Sequence, residues 1–167
     1  MARLAIRVQV EGLRPANLQR AAQLLNKTNQ MNLSTRRMSE AELVAWTEQE
    51  HRRLWTFRVC DKFGDAGLTG IISLEIQDDS AQIVDFILSC RVLGRKIEET
   101  MLGVAIRHVR ALGVKKVTVQ YIPTAKNKPC LDFFKGLVPP FRQQGERFML
   151  DAAQPFPVPG HIELVVK

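Results

Sequence analysis

The stretch that decides the fold is Val84-Asp85-Phe86-Ile87-Leu88-Ser89-Cys90-Arg91-Val92-Leu93-Gly94-Arg95-Lys96. It begins as an apolar strand, turns at Gly94, and leads into a helical pattern. Backbone N–H groups at the start of such a helix lack partners, and the helix dipole is positive there. The stretch therefore predicts an anion-binding turn, to which Arg91, Arg95 and Lys96 add charge. The alternative is a tight turn with solvated basic residues.

Patterns upstream of this stretch predict two helices and four strands. Apolar residues alternate with charged or polar ones at 4–10 and 54–59, and apolar runs lie at 67–74 and 82–89. Pro15 begins one predicted helix. The capping-box pattern from Ser39 to Glu42 begins another.

Downstream, apolar residues at helical spacing predict a long helix over 97–112 that ends at Gly113. A strand, a short helix and two short strands are predicted at 117–122, 129–134, 148–150 and 162–166. The predicted fold class is α/β (α+β), with a mixed, mostly antiparallel β-sheet flanked by helices.

The net charge of +7 is concentrated in one part of the chain. Residues 91–128 carry nine basic and two acidic side chains, whereas residues 1–90 and 129–167 are each balanced. Basic character spread over the chain would suggest a polyanion. A local surplus instead predicts an anionic group bound at one place, so no nucleic-acid partner is expected.

Chain length, the apolar runs and the cysteine spacing bear on domain number, membrane association and metal binding. The 167 residues suffice for a single domain, predicted over residues 1–167. No apolar run reaches the roughly 18 residues of a membrane helix, so no membrane partner is expected. Cys60, Cys90 and Cys130 fit no zinc spacing. Free thiols in a reducing cytoplasm, and no metal site, are therefore expected.

Arg91-Val92-Leu93-Gly94 matches the first part of the Arg/Gln-x-x-Gly-x-Gly/Ala signature of GNAT-type acyltransferases, which the chain resembles also in its order of elements. The resemblance implies that the turn binds the pyrophosphate of coenzyme A, with acetyl-CoA as the acyl donor. Lys96 stands where the signature has its last Gly or Ala. A long side chain there either blocks the approach of the backbone to a pyrophosphate or binds phosphate itself.

Four further blocks resemble, in order, the C-terminal half of FkbH-like proteins: Lys27-Thr28-Asn29-Gln30-Met31-Asn32-Leu33-Ser34-Thr35-Arg36-Arg37, Asp61-Lys62-Phe63-Gly64-Asp65-Ala66-Gly67-Leu68, Leu88-Ser89-Cys90-Arg91-Val92-Leu93-Gly94-Arg95 and Tyr121-Ile122-Pro123-Thr124-Ala125-Lys126-Asn127. That family joins an N-terminal HAD-type phosphatase domain to a GNAT-like domain. The resemblance implies transfer of a glyceryl group from 1,3-bisphosphoglycerate, through a cysteine thioester, to an acyl carrier protein. No Asp-x-Asp-x-Thr/Val motif opens this chain. We therefore expect the phosphatase half to be absent, in an excised domain, a stand-alone descendant or one partner of a split pair.

Cys90 is the candidate nucleophile. It is predicted at a strand end, just before a helix N-terminus and beside Arg91, and both features favour a thiolate. Strict alternation, however, places Cys90 on the apolar face with Val84, Phe86 and Leu88. The alternative is therefore a buried cysteine packed as a small hydrophobic residue.

The segment between the first two helices is rich in amides and guanidinium groups, which bind hydroxyls, carbonyls, carboxylates and phosphates. The predicted substrate-binding residues are Asn29, Asn32, Arg36 and Arg37. The alternative is a capped surface loop.

Two further residues are candidates for proton transfer. Asp85 lies inside an apolar strand and would orient a substrate hydroxyl or act as a base, unless it forms an ion pair with a nearby Arg. The resemblance to GNAT enzymes makes Tyr121 a candidate general acid. It also places Lys126 and Asn127, together with Arg91, Gly94, Arg95 and Lys96, among the residues that bind phosphate or pantetheine.

These patterns favour an FkbH-like acyltransferase domain. Cys90 would pass a glyceryl or similar acyl group to the phosphopantetheine arm of an acyl carrier protein, with a separate HAD-type phosphatase as a possible partner. The first alternative is an acetyl-CoA-dependent N-acetyltransferase. The second is a non-catalytic module that docks a carrier protein.

Overall fold

The computed structural model describes residues 5–137 and 140–167. Its helices are α1 (Pro15–Lys27), α2 (Glu40–Thr47), α3 (Ile97–Ala111) and α4 (Lys128–Lys135). Its strands are β1 (Arg7–Glu11), β2 (Met31–Asn32), β3 (Arg52–Asp61), β4 (Gly64–Gln77), β5 (Ser80–Leu88), β6 (Lys116–Gln120), β7 (Arg142–Gln144), β8 (Arg147–Asp151) and β9 (Glu163–Val166). A single 3₁₀ turn covers Cys90–Val92.

One sheet contains all nine strands, in the order β7-β8-β6-β5-β4-β3-β1-β9, with β2 added to the end of β5. Six neighbouring pairs are antiparallel. The two parallel pairs are β5 with β6, joined through α3, and β1 with β9. The predicted fold class, a mixed and mostly antiparallel sheet flanked by helices, is confirmed.

Each face of the sheet has its own apolar core. Leu25 of α1 and Leu43 of α2 pack with Ile71 and Ile87 on one face. The larger cluster on the other face includes Met101 of α3 and the core side chains of α4. Burial on both faces explains the nearly continuous apolar sequence of β5.

A β-bulge at Val84 changes which side chains of β5 share a face. Ser73 of β4 pairs with Asp85, but the next residue, Leu74, pairs with Ile83. As a result Ile83 and Phe86 belong to one core, while Val84 packs against the other. The bulge also directs the carboxylate of Asp85 inward, where it is fully buried.

The sequence-based element order omitted β2 and β7, which have two and three residues and carry no periodic signal. The capping box from Ser39 to Glu42 forms as predicted, with both reciprocal hydrogen bonds. The strand predicted at 4–10 is present as β1, which begins at Arg7 and ends at Glu11; Ala5 and Ile6 precede it, and Leu4 lies outside the described residues.

Candidate active site

Cys90 lies beyond the end of β5 and is exposed, so the expectation from alternation that it belongs to an apolar face is wrong. β5 ends at Leu88, and the alternation of a strand does not continue beyond its end. Cys90 opens the 3₁₀ turn, whose first N–H groups are partly capped because the side chain of Ser89 accepts a hydrogen bond from the N–H of Arg91. The predicted helix N-terminus beside Cys90 is therefore only this short turn.

Cys90 borders a pocket of about 350 Å³ between the end of β5 and the end of α1. Four polar residues from the end of α1 and the loop after it line the pocket: Lys27, Thr28, Asn29 and Gln30. Arg20 contributes from the same helix. Burial lowers the pKa of Arg20, and the charge of nearby Arg91 lowers it further. The pocket therefore combines a thiol, amides and cations, a set suited to a polar or anionic acyl group.

Sequence reasoning did not assign Arg20 and Lys27 to the site. Both lie on α1, seven residues apart, and residues at that spacing share a face of a helix. The helical spacing of these two cations, the second of which directly precedes the amide-rich segment, could therefore have indicated that both belong to the site.

The predicted substrate-binding residues divide between the pocket and the protein interior. Asn29 lines the pocket, where its side-chain oxygen accepts a hydrogen bond from Arg37 at 2.9 Å. Arg37 also donates to the carbonyl of Leu25. Asn32 is fully buried, and its amide donates to the carbonyl of Thr28 at 3.0 Å. Most of these polar groups thus stabilise the loop itself.

Asp85 forms a buried cluster with Ser73 of the neighbouring strand and with Ser34 and Arg36 of the loop before α2. Its carboxylate accepts hydrogen bonds from Arg36 at 2.5 Å, from Ser73 at 2.6 Å and from Ser34 at 3.4 Å. The guanidinium of Arg36 also stacks over Trp46. The alternative considered for Asp85, an ion pair with an Arg, is the arrangement observed.

Tyr121 and Asn127 are paired with each other inside the protein. Both are buried, and the Tyr121 hydroxyl donates to the side-chain oxygen of Asn127 at 2.7 Å. Burial raises the pKa of Tyr121, and the nearby Cys130 and acidic residues raise it further. Lys126, in contrast, is exposed. Of the three, only Lys126 is open to a ligand in this structure.

The turn before α3 carries its own anionic group. Gly94 and Lys96 adopt left-handed conformations with φ of 81° and 68°, so Lys96 occupies a position that suits glycine better. The N–H of Gly94 donates to the carboxylate of Glu98 at 3.3 Å. Arg95 forms an ion pair with Asp61 at 2.9 Å. Arg91 is exposed and donates to the carbonyl of Ala66.

The basic residues of 91–128 do not form one patch, contrary to the expectation from the charge count. β5 and β6 are parallel, and Lys116 pairs with Ser80 at the start of β5, whereas Arg91 follows its end. A strand of nine residues separates them by roughly 30 Å. Only the part of the surplus near Arg91 lies close to the pocket.

Neither of the other cysteines lines this pocket. Cys130 is buried in α4, and burial raises the pKa of its thiol to about 12. Cys60 is half-buried on β3. Across residues 5–137 and 140–167, no group of three or more His, Cys, Asp or Glu side chains is placed to hold a metal ion. Nor does this part of the chain contain a helix long and apolar enough to span a membrane.

The architecture matches solved structures of N-acetyltransferases. The Escherichia coli ribosomal-protein-S18-alanine N-acetyltransferase superposes with a TM-score of 0.65 at 10% identity, covering 88% of this chain and 95% of that one. The chain has the GNAT fold. Spermidine N-acetyltransferase from Vibrio cholerae, solved with CoA and spermine, superposes with a TM-score of 0.63 at 17% identity, covering 87% of this chain and 96% of that one.

The PaiA N-acetyltransferase of Thermoplasma acidophilum, in complex with coenzyme A, gives a TM-score of 0.57 at 15% identity, covering 85% of this chain and 96% of that one. No protein-family model and no curated protein matches the sequence. At these identities the likeness concerns the fold alone.

Proposed function

We propose that this protein is an acyltransferase in which the thiol of Cys90 carries the acyl group. The supporting observation is the position of Cys90, which is exposed at the edge of a pocket that also holds Lys27, Asn29 and Gln30. Amides bind carbonyl and hydroxyl oxygens, and cations bind carboxylates and phosphates. The pocket thus offers a nucleophile together with groups that orient a short oxygen-rich acyl chain.

The reaction consists of two acyl transfers at sulfur. In the first, the sulfur of Cys90 bonds to the acyl carbonyl carbon, the bond from that carbon to the leaving group breaks, and the leaving group takes the electron pair. The thiol proton passes to solvent or to the leaving group. In the second, an acceptor thiol gives up its proton to solvent and attacks the thioester, and Cys90 leaves as a thiolate.

The resemblance to FkbH-like proteins supports a glyceryl or similar short acyl group and, as acceptor, the phosphopantetheine arm of an acyl carrier protein. A separate HAD-type phosphatase would be a second partner. Carrier proteins are usually acidic, and the exposed Arg91 next to the pocket provides charge of the opposite sign.

Mass spectrometry of the intact protein after incubation with an activated glyceryl donor tests the proposal. We expect the wild type and the Cys60→Ala control to gain the mass of the acyl group, because only Cys90 borders the pocket. The Cys90→Ala variant should gain none. Retention of the acyl mass by Cys90→Ala would show that the thioester proposal is wrong.

A second candidate is an acetyl-CoA-dependent N-acetyltransferase. It is favoured by the comparisons, since the three similar structures described above are N-acetyltransferases and two of those three contain coenzyme A. It requires no covalent intermediate. Micromolar binding of acetyl-CoA by calorimetry, with acetylation of an amine undiminished in the Cys90→Ala variant, would favour this candidate over the first.

A further inference from the structure

The two parallel strands of the sheet centre separate part-way along their length. Residues 80–83 of β5 pair with residues 116–119 of β6, but beyond these the strands are no longer partners. We call the space between residues 85–88 and residues 121–122 the gap. Backbone N–H and C=O groups that face such a gap need partners, because unpaired backbone groups are costly when buried.

The chain fills the gap with its own backbone. In β2, Met31 pairs with Leu88 and Asn32 pairs with Ile87. The next residue completes the bridge: the N–H of Leu33 donates to the carbonyl of Phe86, and its own carbonyl accepts from the N–H of Ile122, both at 3.1 Å. Residues 31–33 therefore connect the two separated strands.

Asn127 holds this bridge in place from the far side. Its side-chain amide donates to the carbonyl of Asn32 and to that of Ile122, both at 2.9 Å. Its side-chain oxygen accepts from Tyr121 and from the N–H of Thr124. Asn127 is fully buried, and both amide protons and the oxygen are used. This hydrogen bonding ties β2 to the end of β6.

The turn next to the gap is closed in a comparable way. The N–H of Gly94, a donor that an anion would use, is directed at the carboxylate of Glu98. A ligand with a negative group at the turn and an extended amide-bearing arm in the gap would have to displace both Glu98 and β2.

We propose that β2 excludes an extended amide-bearing arm, such as that of coenzyme A, from the gap, and that Asn127 is the positioning residue that keeps β2 there. This inference rests on the proposed function and specifies how the acceptor reaches Cys90. With the gap closed, the acceptor thiol enters through the pocket beside Asn29 and Gln30 rather than between β5 and β6.

The isosteric substitution Asn127→Asp tests whether Asn127 keeps β2 in the gap. It removes the two hydrogen bonds donated to Asn32 and Ile122 but keeps an oxygen for Tyr121. The matched control is Asn26→Asp, which removes the hydrogen bond from Asn26 to the carbonyl of Met38 at the other end of the same loop. We expect Asn127→Asp to accelerate amide exchange of Leu33 and Ile122 at least tenfold, and Asn26→Asp to leave both rates unchanged.

Titration with coenzyme A supplies a readout that a merely structural role of Asn127 would not move. The wild type and Asn26→Asp should not bind it at millimolar concentration, whereas Asn127→Asp should. Tyr121→Phe, which removes one hydrogen bond to Asn127, serves as a milder variant and should show a smaller acceleration at Leu33. Binding of coenzyme A by the wild type, or no binding by a folded Asn127→Asp, overturns the inference. Neither result bears on acylation of Cys90, which the mass measurement decides separately.

Discussion

At the scale of single residues, the buried carboxylate of Asp85 shows what a sequence can and cannot supply. An Asp within an apolar strand predicts a buried charge that needs a partner. The partner, Arg36, lies 49 positions away, and only the fold brings it to 2.5 Å. The exposure of Cys90 was missed because the alternation was continued past Leu88, where β5 ends.

We expect Arg36→Ala to destabilise the protein by about 3 kcal/mol, because it leaves the carboxylate of Asp85 buried without its cation. The control Arg7→Ala breaks an exposed ion pair with Glu163 and should cost less than about 1 kcal/mol. Urea unfolding followed by circular dichroism measures both. Equal losses in the two variants would contradict the assignment of Asp85 to a structural ion pair. Adding Asp85→Asn to Arg36→Ala should restore part of the stability.

At the scale of elements, long periodic segments were predicted well and short ones were not. The apolar spacing and Gly113 located α3 to within a residue or two at its end. β2 has only two residues, and the segment 31–33 is extended because β5 on one side and Ile122 on the other offer hydrogen bonds to it. No local pattern encodes such a strand, so the closure of the gap could not be predicted from the sequence.

The first turn of α3 makes stability depend on pH. Burial raises the pKa of Glu98 above its usual 4.5, and the neighbouring charge of Glu99 raises it further. The folded state therefore binds this proton more tightly than the unfolded chain, and stability decreases as the pH rises from 4.5 through the folded pKa of Glu98.

We expect Glu98→Gln to raise the urea midpoint at pH 7 and to lose this advantage below pH 4.5. The control Glu40→Gln, at an exposed position in the first turn of α2, should not alter the pH profile. A Glu98→Gln midpoint that follows the wild type at every pH would be the contrary result.

At the scale of the whole molecule, one connection crosses the entire sheet. β8 and β9 lie six strand positions apart, and eleven residues connect Asp151 to Glu163. The connection begins and ends with a turn: the N–H of Gln154 donates to the carbonyl of Asp151, and the N–H of Ile162 donates to the carbonyl of Pro159. Pro155, Pro157 and Pro159 stiffen the stretch between the two turns, and the crossing itself depends on the pairing of β9 with β1.

The connection packs against α3 through Val158. A Cβ atom at Gly103 would lie 2.7 Å from Cγ2 of Val158, so the helix or the connection would have to move to relieve that contact. We expect Gly103→Ala to destabilise the protein by about 1–3 kcal/mol in urea unfolding, as overpacking does elsewhere. The control Gly160→Ala adds a Cβ to open space in the same connection and should cost less. Because Val158→Ala removes the opposing methyl groups, the double variant should be more stable than the sum of the single effects predicts. Strict additivity would mean that the contact with Val158 is not what destabilises the Gly103→Ala variant.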